Sequence, residues 1–191
     1  MKITNSKDLI LLLLYAKGYR SKQCEPIAGK TRLMKMIFLF DKELKKKFNL
    51  AKTISDDAFP DFTAYDYGPY SEQVYIDLEF LVDLNLVKVK KVKSEEDDMS
   101  AELLEYEYWQ AGSGDIDTSD IDERMEVFSL TPNGRGFVEE ELSGLTDEQW
   151  EALDKFKSRC TGIPLKALLR YVYAKYRKLT TNSKIRDEIL S

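Results

Sequence analysis

The stretch from Phe62 to Val87, FTAYDYGPYSEQVYIDLEFLVDLNLV, leaves this chain few ways to fold. An aromatic segment runs into Gly68-Pro69, and the pattern of an apolar helix follows. Glycine takes a positive φ at no steric cost, and proline is pre-set for a turn or a first helical position. The stretch therefore reads as a short strand, a tight turn and a helix over about Ser71 to Leu84, capped by Ser71 or Gly68. Val74, Leu78 and Leu81 share one face of that helix, flanked by Tyr75 and Val82. Ile76 and Phe80 point elsewhere. Two apolar stripes require two sets of neighbours, or one set of neighbours and a partner.

The remaining elements arrange themselves around this one. Asn5 or Ser6 caps a first helix through Ala16, and its leucines leave so little polar face that it belongs in a core. Gly18 ends it, and a polar loop leads to Gly29. A second helix is expected from Thr31 to Phe48, apolar nearly all round in its first half, with Lys45, Lys46 and Lys47 complementing the helix dipole at its end. Past the central helix, Leu86 to Val92 alternates like a half-buried strand, with Val87, Val89 and Val92 near one face and Lys88, Lys90 and Lys93 near the other. Met125 to Leu130 is a second strand able to pair with it. Thr131 and Pro132 start a helix to about Leu142, and Thr146 with Gln149 forms a capping box for the next. Pro164 opens another through Tyr176, and Ser183 to Leu190 closes the chain as a short helix. The expected fold is mainly α with a small antiparallel β wing. It divides into a winged-helix-like domain, residues 1–143, with an acidic insertion at 94–124, and a C-terminal helical extension, 144–191, packed on it.

Composition excludes more than it suggests. Histidine is absent, which removes the commonest general base, the commonest metal ligand and every His-containing triad. Cys24 and Cys160 are too few for a zinc site and too far apart for a CxxC motif, so they read as two reduced thiols. The longest apolar run, Leu9 to Ala16, is far below the roughly 20 residues that cross a bilayer. No signal-peptide pattern surrounds it, and a cytoplasmic protein with no membrane partner is expected. The net charge of −5 is blocked: residues 1–93 hold 17 Lys/Arg against 12 Asp/Glu, 94–154 hold 2 against 20, and 155–191 hold 10 against 2. An acidic middle between basic ends pairs with them inside one fold or offers separate faces to partners of opposite charge.

Short motifs point to no catalyst and to no cofactor. Gly29-Lys30-Thr31 has the end of a phosphate-binding loop, but Cys24 stands where that loop needs glycine and no apolar strand precedes it, so Lys30 and Arg32 read as surface residues at a helix start. Asp115, Asp117 and Asp120 lack the glycine and closing glutamate of an EF-hand and read as a solvated acidic loop. Tyr65, Tyr67 and Tyr70 cluster beside a helix N-terminus, where free amides favour an anion; they either contact a partner there or pack the strand onto the helices.

The order of elements is that of a winged helix, in which Ser71 to Leu84 would enter the DNA major groove. That helix carries Glu72, Asp77, Glu79 and Asp83 and no Lys or Arg. Affinity for DNA rests on cations at phosphates, and four carboxylates oppose it. Lys88, Lys90, Lys91 and Lys93 on the wing remain as candidates for phosphate contact.

Together, TRLMKMIFLF and FTAYDYGPYSEQVYIDLEFLVDLNLV resemble the core of the SocA-like antitoxin domain, also called Panacea, and are similar to the related YwgA-type proteins of bacteria and archaea. The shared features are the apolar helix after Thr31-Arg32-Leu33, the aromatic strand, Tyr67-Gly68-Pro69-Tyr70, and the helix with Val74, Tyr75, Leu78 and Leu81. The resemblance covers residues 5 to 93 and implies a mainly helical, non-enzymatic module that in some relatives neutralises a toxin by binding it. It supplies no catalytic residues, and the acidic insertion and basic C-terminal helices depart from it. The expected function is thus that of a cytoplasmic regulator binding another protein, a toxin or regulator, through Tyr65, Tyr67, Tyr70, Ile76 and Phe80. A homo-oligomer is compatible with the sequence as well. The alternatives are a DNA-binding regulator using the lysine wing and the basic C-terminal segment, or an enzyme with a carboxylate or tyrosine site that no motif locates.

Overall fold

The computed structural model of the protein describes residues 3–47, 53–65, 68–93, 124–180, 183 and 189–190. The expected acidic insertion, and most of the expected closing helix, lie outside the described residues.

Helix α1, Ser6–Tyr15, is the axis of the molecule. Leu9 through Leu14 are all at most 1% exposed. Its end groups need partners all the same, at an exposed N-terminus and at a C-terminus where Leu14 and Ala16 are buried. At the N-terminus Asn5 supplies one, its side-chain oxygen accepting from the Asp8 amide at 3.0 Å. At the C-terminus the Lys157 ammonium donates to the carbonyls of Leu14, at 3.1 Å, and Ala16, at 2.8 Å, and the Cys24 amide donates to the Tyr15 carbonyl at 2.9 Å. The helix thus ends at Tyr15, just before the expected Ala16 and well before Gly18.

Strand β1, Ile27–Ala28, leads through Gly29, at φ 88°, into α2, Lys30–Leu39. The expected single helix to Phe48 is interrupted. Phe40–Leu44 forms a π turn, in which the Lys45 amide bonds to the Phe40 carbonyl, before helical geometry resumes at Lys45–Lys47. Lys45 does not act on a helix end alone: it is paired to Asp41 and Asp56 and lies over the Phe59 ring. Arg32 is not the surface residue expected. It is 4% exposed and donates to the carbonyls of Cys160 and Ile163, at 2.7 and 2.8 Å, which end the helix packed beside it. The sequence pattern around Arg32 carries no trace of this, since both acceptors are main-chain groups about 130 residues away.

Strands β2, Thr63–Tyr65, and β3, Gly68–Tyr70, form a hairpin that leads into α3, Glu72–Asp83. Val74, Leu78 and Leu81 of α3 are buried in the common core. The helix stops in a Schellman motif: Asn85 takes φ 54°, its amide bonds to the Val82 carbonyl, and the Leu86 amide bonds to that of Leu81. Strand β4, Val87–Lys93, then pairs antiparallel with β5, Arg124–Leu130, from Val87↔Leu130 to Lys93↔Arg124, and β5 also pairs with β1, giving the order β1-β5-β4.

The expected alternation along β4 fails after its first residue. Val87 is buried but Val89 is 38% exposed and Val92 only half-buried. Val89 lies on the same side of the strand as Val87 but stays exposed because β4 is the edge of the sheet; its partner on the central strand β5, Phe128, is 1% exposed.

Thr131 caps α4, Pro132–Glu141, accepting from the Gly134 amide at 3.0 Å while its hydroxyl donates to the Asn85 carbonyl at 2.6 Å. Helix α5, Asp147–Thr161, opens on the expected Thr146–Gln149 capping box. Helix α6, Leu165–Lys175, follows Pro164. The fold is mainly helical with a small antiparallel sheet and a hairpin. One apolar cluster joins Leu9 to Leu14, Val74, Leu78 and Phe128 to Phe156, Leu168 and Val172, so α5 and α6 share the core of the preceding residues.

Two glycines of α4 respond oppositely to substitution. A methyl at Gly134 would stand 2.0 Å from the Leu86 carbonyl oxygen, whereas one at Gly136 meets nothing within 4 Å. Gly134→Ala is expected to cost more than about 2 kcal/mol, because main chain must move, and Gly136→Ala to gain about 0.5–1 kcal/mol from helix propensity. Urea unfolding of the two variants measures both.

Candidate functional site

Helix α3 turns one face inward and one outward, and a buried carboxylate holds it in that orientation. Asp77 is 1% exposed. It accepts from the Ser6 hydroxyl, from Gln73 Nε2 at 2.8 Å and from Lys7 Nζ at 3.1 Å, and so ties α3 to the first turn of α1. Of the four carboxylates that the sequence sets against DNA on this helix, Glu72, Glu79 and Asp83 are exposed and Asp77 is buried.

The outward face carries Ile76, Phe80 and Leu84, which are 52%, 46% and 52% exposed. Their spacing, i, i+4 and i+8, makes one stripe along the helix. Lys7 Nζ stands 5.3 Å from the centre of the Phe80 ring, close enough for a cation–π contact. The sequence marks Ile76 and Phe80 but not Leu84, whose place at the end of the helix hides its periodicity.

The Gly-Pro turn lies elsewhere. Gly68 has φ 85° and is buried, and a methyl on it would reach 3.0 Å from the Tyr173 ring. The Pro69 carbonyl accepts from Lys35 Nζ at 3.1 Å, and Lys35 is wholly buried. Tyr70 is half-buried with its ring 5.8 Å from that of Tyr75. Tyr65 is placed by its backbone in β2, and Tyr67 lies outside the described residues. Lys88, Lys90, Lys91 and Lys93 are all exposed along β4.

A carboxylate–tyrosine cluster absent from the sequence reading sits at the π turn. Glu43 accepts from the hydroxyls of Tyr176, at 2.7 Å, and Tyr171, at 2.9 Å, and from Lys175 Nζ at 2.9 Å. Burial raises the Glu43 carboxyl, but Lys175 and the two tyrosines outweigh it and hold it below its ordinary value. Lys175 is raised by its bonds to Tyr171 and Glu43, and Tyr176 is raised by burial and Glu43. These shifts favour the carboxylate of Glu43 and the ammonium of Lys175. Among the described residues no group of three His, Cys, Asp or Glu is placed to hold a metal, and no helix is long and apolar enough to cross a membrane. Cys24 and Cys160 are both free, and burial pushes the Cys160 thiol up to about 12.

Set against known proteins, the chain matches no family model, no curated protein and no solved structure.

Two predictions follow from the buried charges. Asp77→Ala leaves Ser6, Lys7 and Gln73 without their acceptor and is expected to cost about 3 kcal/mol, read by chemical denaturation. Lys157 is wholly buried, and burial pulls its ammonium down to about 7 against the pull of Glu25, Cys24 and Asp154. The unfolded chain, with an ordinary value of about 10.4, binds the extra proton between these limits, so this lysine makes stability rise from pH 7 to about pH 10. Lys157→Met removes that rise, and the difference in the two pH profiles of denaturation midpoint isolates it from the cysteines.

Proposed function

We propose that this chain is a non-enzymatic regulatory module that acts by binding another protein, antitoxin-like in mode, with the outward face of α3 as its contact. The observation that carries the reading is the stripe Ile76, Phe80 and Leu84, each about half exposed on a helix whose opposite face is core. Large apolar side chains in line on a rigid helix are what a hydrophobic groove on a partner accepts. The exposed carboxylates Glu72, Glu79 and Asp83 border the stripe, so the matching groove is rimmed by Lys or Arg.

The winged-helix reading is supported by the succession α1, β1, α2, α3, β4, β5 and by the sheet order β1-β5-β4, with the β2–β3 hairpin inserted before α3. In that reading α3 occupies the place of a recognition helix. Its exposed face carries three carboxylates and no cation, which favours protein over DNA. The exposed lysines of β4 favour the second reading, phosphate contact by the wing. Between Lys93 and Arg124, however, the chain holds 12 Asp/Glu and no Lys/Arg, a charge that opposes DNA at that end of the ribbon.

Phe80→Asp, at a half-exposed position, is expected to leave the circular dichroism spectrum and denaturation midpoint nearly unchanged. Quantitative pull-down from the native host then compares it with wild type and with Lys88→Glu/Lys90→Glu. A protein lost with Phe80→Asp and retained by the lysine variant supports the reading, and an identical set of captured proteins from all three sinks it. A salt-sensitive shift of duplex DNA, lost in the lysine variant, would favour the second reading instead.

A further inference from the structure

A cavity of about 450 Å³ opens between α2 with its π turn, the end of α5 and the start of α6. Leu39, Leu44, Phe156, Ile163, Leu168 and Tyr171 wall it. Small-molecule sites are of this kind: roughly 300–1,000 Å³, mostly apolar, with few charged groups. Ile163 and Tyr171 also leave 38% and 42% of their surface exposed, apolar surface that an occupant would cover. The π turn places Leu44 and Glu43 on the cavity wall, and such turns recur at functional sites.

The charges on the wall select an anion. Glu43 is already compensated by Lys175, Tyr171 and Tyr176. Arg159 has no carboxylate within ion-pair distance among the described residues, and its Nε meets just the Lys155 carbonyl, at 3.4 Å. Arg159 is exposed, so its remaining N–H donors are hydrated and open to a ligand at the cavity mouth. Arg32 supports the same end of the cavity from behind, bonded to the carbonyls of the wall residues Cys160 and Ile163. We infer that the cavity binds a small apolar carboxylic acid, with its tail between α2, α5 and α6 and its carboxylate on Arg159. The Cys160 thiol, buried in the wall, takes no covalent part.

The test uses the full chain with decanoate, decanol and decyltrimethylammonium, each below its micellar concentration, followed by calorimetry and by methyl NMR. Decanoate is expected to bind tightest and to shift the methyl signals of Ile163 and Leu168. Arg159→Ala should weaken decanoate about tenfold, the worth of one charge-assisted hydrogen bond, and leave decanol unchanged. Ile163→Trp, at a partly exposed position that tolerates bulk, should block both. No binding by any of the three would overturn the inference, as would equal affinity for all three or decanoate binding that Arg159→Ala leaves intact. Shifts confined to Ile76 and Leu84 would overturn it too, by placing the probe on α3.

Discussion

The architecture depends on the burial of Leu9 to Leu14 of α1 on every face. A helix with Leu9 through Leu14 all out of water cannot leave its terminal carbonyls to solvent, and each unsatisfied group would cost about 1–3 kcal/mol. The molecule meets that demand with a lysine from a helix about 140 residues on. Lys157 spans the carbonyls of Leu14, Ala16 and Glu25, thereby closing α1 and fixing where α5 packs. Arg32 does the same for the end of α5, and Lys35 for the Gly68-Pro69 turn. Buried cations here join elements through main-chain acceptors, and charge-assisted bonds offset part of their desolvation; at Lys157 burial still prevails.

The same logic positions the outward face of α3. Asp77 ties it to Ser6 and Lys7 at one end, and the Asn85 Schellman turn with the Thr131 hydroxyl ties it to the sheet at the other. Between those anchors Val74, Leu78 and Leu81 lock its rotation. The stripe of Ile76, Phe80 and Leu84 therefore stands on a helix that cannot roll to bury it. Fully burying one such side chain is worth about 1.5–3 kcal/mol, so the three together leave on the order of 3 kcal/mol unrealised in the isolated chain. A partner that covers them recovers it.

What the sequence made legible was what periodicity and local capping encode. The inward set of α3, the Asn5 cap, the Thr131-Pro132 start and the Thr146–Gln149 box all depend on residues within four positions of one another. What it hid depends on distant main-chain groups. Nothing near Arg32 or Lys157 distinguishes a lysine or arginine bonded to carbonyls from one in water, and the carbonyls carry no residue identity at all. The burial of Asp77 was hidden for the same reason, since its partners Ser6 and Lys7 lie 70 residues earlier. The Glu43 cluster shares that cause, because Tyr171, Lys175 and Tyr176 meet Glu43 from about 130 residues away. Val89 failed differently: alternation along a strand says which residues share a side, not whether the strand is the edge of its sheet, where a neighbour such as Phe128 on β5 takes the core position.

The charge of α3 bears on function more than its place in the fold does. A recognition helix that reads DNA must approach phosphates at about 1.7 Å of axis per charge, so each outward carboxylate adds repulsion where counterion release should supply attraction. Lys7, beside Phe80, is a single cation against Glu72, Glu79 and Asp83. Against a protein groove the same carboxylates change role. They orient the approach and discourage acidic competitors, while the apolar stripe supplies the affinity. On the proposed reading, a central helix without cations and with a hydrophobic ridge suits a protein partner better than a DNA groove.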